Sequence, residues 1–270
     1  MSALTFTLKD VPRQRVDCSA LTPTRLEGLS VRAIAAIELV SGNRKERVDA
    51  LFDLQGEDTS NLVFRNACEK LDRIGEGMVD GAIQVHGDAG AYLALGMRGG
   101  RVTVRGSCGA FAAAELKRGL VHILGNAGDF LGGPLPGDRQ GMRGGLVVVG
   151  GSAGDRCGDR LRRGSILIEG DAADYCASRM IAGTIAVLGR LGAYPGFAMR
   201  RGTLLLTSLP DSLPATFGDC GTHDLRFLPL LVRAWRSLDS RFARLEPRSR
   251  VHRLMGDLSC DGKGEVLVWA

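Results

Sequence analysis

Residues 100–124, GRVTVRGSCGAFAAAELKRGLVHIL, hold one copy of a pattern and the start of the next. Gly100 opens an alternation that buries Val102 and Val104, the glycines Gly106 and Gly109 follow, Leu116 supplies one more apolar position, and Gly119 restarts the series with Val121 and Ile123. Working outward, the opening glycine recurs at Gly81, Gly145, Gly164, Gly183 and Gly202, in steps of 19 residues with a single step of 26. The second and fourth residues after it are always aliphatic: Ile83/Val85, Val147/Val149, Ile166/Ile168, Ile185/Val187 and Leu204/Leu206 complete the set. Period-two alternation of this kind is a strand with one face buried. The Leu116 position recurs as Met78, Met97, Met142, Leu161, Met180 and Met199.

A unit of 19 residues with one strand cannot bury its apolar face alone, so successive units must stack with their strands in parallel. The expected fold is an all-β solenoid, a right-handed parallel β-helix of about seven to eight coils and roughly 35 Å in length at the strand spacing of a sheet. The competing left-handed hexapeptide helix needs an apolar anchor every six residues, and that sub-period fails at Asp129, Asp155 and Asp174. The coils are assigned to residues 61–207. The 26-residue third coil, 119–144, carries its extra residues in GDFLGGPLPGDRQGMRGG, where Pro134 and Pro136 exclude a strand. This insertion reads as a surface loop, with Phe130, Leu131, Leu135 and Arg139 as candidate partner contacts.

Open solenoid ends expose strand edges, so residues 1–60 and 208–270 are read as capping segments. In the second, Phe227, Leu230, Leu231, Ala234, Trp235, Leu238 and Phe242 suggest the apolar stripe of one helix. The residue between each inward pair changes from Gln84, Thr103 and His122 to Val148, Leu167, Ala186 and Leu205, so something dry must cover the later coils. The C-terminal helix folding back is the simplest candidate, and a partner protein is the alternative.

Composition narrows the functional classes. The chain has 270 residues, a formal charge of +5, 38 glycines and only 5% aromatic residues. There is no zinc-finger spacing, aromatic RNA-binding strand or long Lys/Arg block, which argues against nucleic acid. No stretch approaches a membrane span and the first residues do not form a secretion signal, so a cytoplasmic protein is expected. Seven cysteines without a CxxC pair fit reduced thiols. Cys157 and Cys176 stand in equivalent places of consecutive coils, as small core residues or as a thiol pair able to hold a metal or sense oxidation. His86, His122, His223 and His252 are scattered, and no HExxH, GxSxG or Walker motif is present, so no catalytic or metal-ligating residue is assigned. The marked polar feature is a basic edge: Arg98, Lys117, Arg143, Arg162 and Arg200 share one register and Arg118, Arg163 and Arg201 the next, interrupted by Ile181 and Ala182. It reads either as a solvated corner or as a docking edge for an acidic surface or a polyanionic ligand.

The insertion string, the recurring G-x-I-x-V-x-G-x-x-G units and the C-terminal GDLSCDGKGE resemble the C subunit of formylmethanofuran dehydrogenase and the related C subunit of the bacterial formyltransferase/hydrolase complex. The repeat is also similar to the C-terminal domain of the glutamate synthase large subunit. The resemblance to the bacterial complex implies a scaffold with no active site of its own. It would join amidohydrolase-like, formyltransferase and dehydrogenase-like subunits in one-carbon metabolism (formaldehyde oxidation) linked to tetrahydromethanopterin and to a methanofuran-type carrier with a polyglutamate arm. The methanogen-type enzyme, with molybdenum or tungsten and iron–sulfur clusters in other subunits, is the alternative.

Overall fold

The computed structural model describes residues 2–269. The N-terminal part forms β1 (Ala3–Leu8), β2 (Val16–Asp17), α1 (Pro23–Leu26), α2 (Val31–Ala35), β3 (Glu38–Ser41), β4 (Arg44–Arg47), α3 (Val48–Leu51), β5 (Phe52–Gln55), β6 (Asp58–Ala67) and β7 (Leu71–Asp72). The repeats give β8 (Ala82–Gly87), β9 (Arg101–Val104), β10 (Leu120–Ile123), β11 (Arg143–Val149), β12 (Arg163–Ile168), β13 (Thr184–Val187) and β14 (Arg201–Leu206). The C-terminal part adds β15 (Gly218–Asp224), α4 (Phe227–Ala234), a 3-10 turn (Arg241–Arg244), β16 (Arg250–Gly256) and β17 (Lys263–Trp269).

The fold is mostly β and is organised around one large, mostly parallel sheet of thirteen strands in the order β15-β16-β17-β14-β13-β12-β11-β10-β9-β8-β6-β1-β5. From β8 to β14 each strand pairs in parallel with the next one, and the repeat register is kept throughout: Val102, Val121, Val147, Ile166, Ile185 and Leu204 lie side by side. Every inward pair read from the sequence is buried, at 0–2% exposure. One core takes in residues from Leu4 to Val268, so the N- and C-terminal segments share it with the repeats.

The opening glycines show why the repeat needs them. At Gly119 φ is +101° and a Cβ would sit 2.6 Å from the Gly100 carbonyl oxygen of the preceding unit. Only a residue without a side chain allows two successive units to approach so closely in that conformation.

Both ends of the sheet depart from the repeat. β17 enters from the C-terminal segment and pairs in parallel with β14, its Val266 and Val268 continuing the inward columns beside Leu204 and Leu206. β16 and β15 then run antiparallel beyond it, and at the opposite end β5 runs antiparallel to β1.

A second core lies outside the sheet. Val148, Leu167, Ala186 and Leu205, the outward apolar residues of the later strands, pack under Leu228, Val232, Trp235 and Phe242. The C-terminal segment is therefore the cover, but its helix is phased differently from the sequence reading. α4 ends at Ala234, Phe242 belongs to the separate 3-10 turn, and the buried face is Leu228, Val232 and Trp235. Phe227 and Leu230 point to solvent, at 46% and 65% exposure.

Candidate functional site: a basic edge, an aromatic column and the insertion

The basic edge forms as the period demands. Backbone N–H groups of Arg98, Lys117, Arg143, Arg162, Ile181 and Arg200 donate to the carbonyls of Met78, Met97, Leu116, Met142, Leu161 and Met180 at 2.7–2.9 Å, placing all six in one register. Arg163 lies beside Arg143 in the sheet. Arg98, Lys117, Arg118, Arg143, Arg162, Arg163, Arg200 and Arg201 are all exposed. Among the described residues only Arg143 of these eight has an ion-pair partner, Glu115 at 3.4 Å. The column continues further than the repeat predicts. Lys263 of β17 is the lateral partner of Arg201, and its N–H donates to the Arg200 carbonyl.

A second column occupies a neighbouring corner. Arg73, Tyr92, Phe111, Phe130, Arg156, Tyr175 and Tyr194 stand at equivalent positions, each with φ between 55° and 61°. Tyr92 stacks on Phe111 (5.4 Å), Phe111 on Phe130 (4.9 Å) and Tyr175 on Tyr194 (5.1 Å). The guanidinium of Arg156 lies between the two aromatic runs, 6.0 Å from the Phe130 ring and 4.7 Å from Tyr175, while Arg73 lies 5.0 Å over Tyr92. Left-handed backbone at a bulky residue costs on the order of 1 kcal/mol, and each stacking contact returns a similar amount. The sequence held the signal, because these residues recur with the same 19- and 26-residue steps as the glycines.

A third set of side chains links the coils from outside. Carboxylate, amide or hydroxyl oxygens of Asp88, Ser107, Asn126, Ser152 and Asp171 each accept from a backbone N–H one unit later, at 2.7–3.0 Å. Asp129, Asp155 and Asp174, the residues that excluded the hexapeptide helix, do the same at 2.7–3.0 Å.

The insertion leaves and rejoins its coil at adjacent points, where Met142 N–H donates to the Gly132 carbonyl at 2.8 Å. Its four candidate contact residues separate. Leu131 is fully buried in the core and Phe130 is held within the aromatic column, so neither is presented by the loop, because both precede the point where the chain leaves the coil. Leu135 lines a cleft of about 290 Å³ with Phe111, Phe130, Pro134, Pro136, Arg160 and Arg179. Arg139 is exposed. Burial and the neighbouring Asp138 carboxyl raise the pKa of Glu115 above the usual carboxylate value, while Arg143 opposes the shift.

Beside this cleft lies a fully buried carboxylate, Asp159. It accepts from the Ser178 hydroxyl at 2.9 Å and from Nε of Arg179 at 2.9 Å, and it also pairs with Nη2 of Arg179. Replacing Arg179 by methionine strands that carboxylate. The expected loss is about 2–3 kcal/mol, reduced from the fully buried case because Arg179 itself reaches solvent. Denaturant unfolding checks it, and adding Asp159→Leu should recover most of the loss.

Cys157 and Cys176 stack as the period requires, and both are fully buried. Their mutual hydrogen bond and burial raise the Cys157 thiol well above its ordinary value, and burial pushes Cys108 up to about 12. Thiols held protonated are poor nucleophiles and poor metal ligands, and no group of three metal-binding side chains occurs among the described residues. In native protein, alkylation by iodoacetamide is expected at the exposed Cys220 and Cys260 and not at Cys157 or Cys176, which should react only after unfolding; mass spectrometry of the labelled peptides checks this.

His122 sits at the edge of a cleft of about 400 Å³ with Glu169, Asp239 and Arg241. Burial lowers its pKa, against the pull of Asp239 and Glu169. Glu169 is already engaged by the Arg241 N–H at 2.7 Å, holding the 3-10 turn to the sheet. Glu169 and Arg241 thus fasten the C-terminal segment to the sheet.

A solved protein shares this geometry from end to end, although no family model matches the chain. The C subunit of the formyltransferase/hydrolase complex Fhc from Methylorubrum extorquens is 42% identical over 96% of this chain and 96% of its own length. The chain belongs to the Fhc C-subunit family. A crystal structure of the FhcABCD complex from Methylorubrum extorquens with methylofuran contains a chain 39% identical to it, with a TM-score of 0.93 over 98% of this chain and 99% of that one. The C subunit of tungsten-containing formylmethanofuran dehydrogenase 2 from Methanococcus maripaludis is 36% identical over 95 residues, 34% of this chain and 35% of that protein. The match to that relative thus spans about a third of its length, whereas the likeness to the Fhc protein runs through nearly all of both chains.

Proposed function

We propose that this chain is the scaffold subunit of a formyltransferase/hydrolase complex, without an active site of its own. In this reading it joins amidohydrolase-like, formyltransferase and dehydrogenase-like subunits in cytoplasmic one-carbon metabolism, where formyl groups pass from tetrahydromethanopterin to a methylofuran-type carrier. The full-length likeness to the Fhc protein carries it. The tungsten-enzyme relatives match over a much shorter stretch, which favours the formyltransferase/hydrolase assignment. Residues 61–207 are then the coils of a parallel β-helix, right-handed as crossovers between parallel strands almost always are, with 1–60 and 208–270 closing its ends. Its polar side chains support this role. Asp159, Glu169 and the Asp/Ser/Asn columns are each committed to holding the fold.

Purified alone, the chain is expected to turn over no formyl-carrier substrate, and co-expressed with the other subunits it should copurify with them in fixed ratio. Unaided turnover by a monodisperse single chain would overturn the assignment.

The basic edge is proposed to guide the polyglutamate arm of the carrier. Stacked cations, of which only Arg143 has an ion-pair partner among the described residues, attract a polyanion most strongly at low salt. Arg98→Ser, Lys117→Ser and Arg143→Ser together should raise KM for a polyglutamylated carrier several-fold in the assembled complex, more so at low ionic strength, with no change for a carrier lacking the arm. Assembly with unchanged KM rules the track out.

A further inference from the structure

Helix α4 has more apolar surface than its packing uses. Leu228, Val232 and Trp235 close the second core, yet Phe227, Leu230 and Ala234 form a separate stripe on its outer side, with Leu231 at the border. Phe227 and Leu230 are among the more exposed large apolar side chains of the molecule, and no described residue covers them. A helix apolar on two faces is the kind found buried on both.

The surroundings of this stripe are strongly positive. Residues 226–253 contain eight arginines and two acids, Asp239 and Glu246. Arg226, Arg233 and Arg236, at the two ends of α4, are exposed and have no ion-pair partner among the described residues. Arg226 caps the N-terminus, where the helix dipole disfavours a cation. An anion brought against it from outside the chain would offset that cost. A second copy of the same face would bring positive charge against positive charge.

We infer that the outer face of α4 is the docking surface for another subunit of the complex, which offers an apolar pocket for Phe227 and Leu230 rimmed by aspartates and glutamates. The inference rests on the scaffold role proposed above and deepens it by placing one interface. An exposed apolar anchor ringed by charge that meets its complement is the usual anatomy of such a contact.

The test is co-expression of the tagged full-length chain with the remaining subunits of its complex. Phe227→Asp with Leu230→Asp, and separately Arg226→Glu with Arg233→Glu and Arg236→Glu, should each reduce copurification at least tenfold while the melting curve of the isolated chain stays within a few degrees. Should the aspartate variant fail to fold, a photo-crosslinking phenylalanine analogue at Leu230 in the assembled complex supplies the answer. A crosslink to an acidic segment of another subunit is expected, and none, despite an intact complex, overturns the inference. Wild-type chain that copurifies with none of the other subunits means instead that the scaffold role is wrong. Wild-type chain that copurifies alongside equally competent variants leaves that role standing and removes α4 from the interface. Isolated chain that dimerises or binds anionic lipid vesicles, and loses this on Leu230→Asp, assigns the face to a second copy or to a membrane surface and also overturns the inference.

Discussion

Replacing Gly119 by valine should cost on the order of 4 kcal/mol and leave the chain marginally folded, since small proteins have about 5–15 kcal/mol in total. Two effects add. The backbone at +101° is outside the range a β-branched residue adopts, and the new Cβ would lie 2.6 Å from the Gly100 carbonyl oxygen. That oxygen already accepts from the Leu120 N–H at 3.1 Å, so it cannot retreat without opening the ladder between units. Gly137 in the insertion provides the control, with positive φ (+93°) but nothing within 4 Å of a built Cβ. Gly137→Ala should therefore cost only about 1 kcal/mol. Denaturant unfolding of both variants gives the comparison, and equal losses would show that close approach between coils is not what the repeat glycines secure.

Trp235→Ala should cost about 3–5 kcal/mol. The indole is 3% exposed and meets the Phe242 ring edge-on at 5.4 Å. Together they cover Val148, Leu167, Ala186 and Leu205, a contiguous apolar strip on the outside of the sheet. Besides leaving a cavity, the truncation loosens part of the cover that Leu228, Val232, Trp235 and Phe242 give this strip. Limited proteolysis should then cut within 225–250 well before the repeats, and the uncovered strip should make the variant prone to aggregate. A variant that melts like wild type and is cleaved elsewhere first would mean that α4 and the 3-10 turn are held by their polar ties to Glu169.

The 19-residue period made the main sheet legible, because each Gly-x-aliphatic-x-aliphatic unit states both a strand and the side that is buried. The same pattern also occurs in Gly264, Val266 and Val268, but 62 residues separate it from its neighbour Gly202, and spacing alone could not place β17 beside β14. The aromatic column is equally periodic, yet three tyrosines and nine phenylalanines look sparse when counted rather than aligned. The phase of α4 was not decidable from sequence. Phe227, Leu228, Leu230, Leu231 and Val232 support two overlapping stripes, and only the position of the second core selects between them. For the site, the period places the eight basic residues of the repeats but not Lys263, and it holds Leu131 in step with the buried Leu93, Ala112, Cys157 and Cys176, a signal that the Gly/Pro string following Leu131 masks.

The reversal of strand direction at both ends has a further meaning. A stack of like coils is a growth template, on which any molecule with the same repeat could continue end to end into a filament. Here the last strand at one end is β15, which runs antiparallel to its neighbour, is interrupted between Asp219 and Thr222 and buries none of its residues. At the other end β5 is four residues long and presents Asp53 and Gln55. The sheet thus ends on both sides in strands whose direction and register its own repeat does not supply, so neither edge is a matched template for another copy of that repeat.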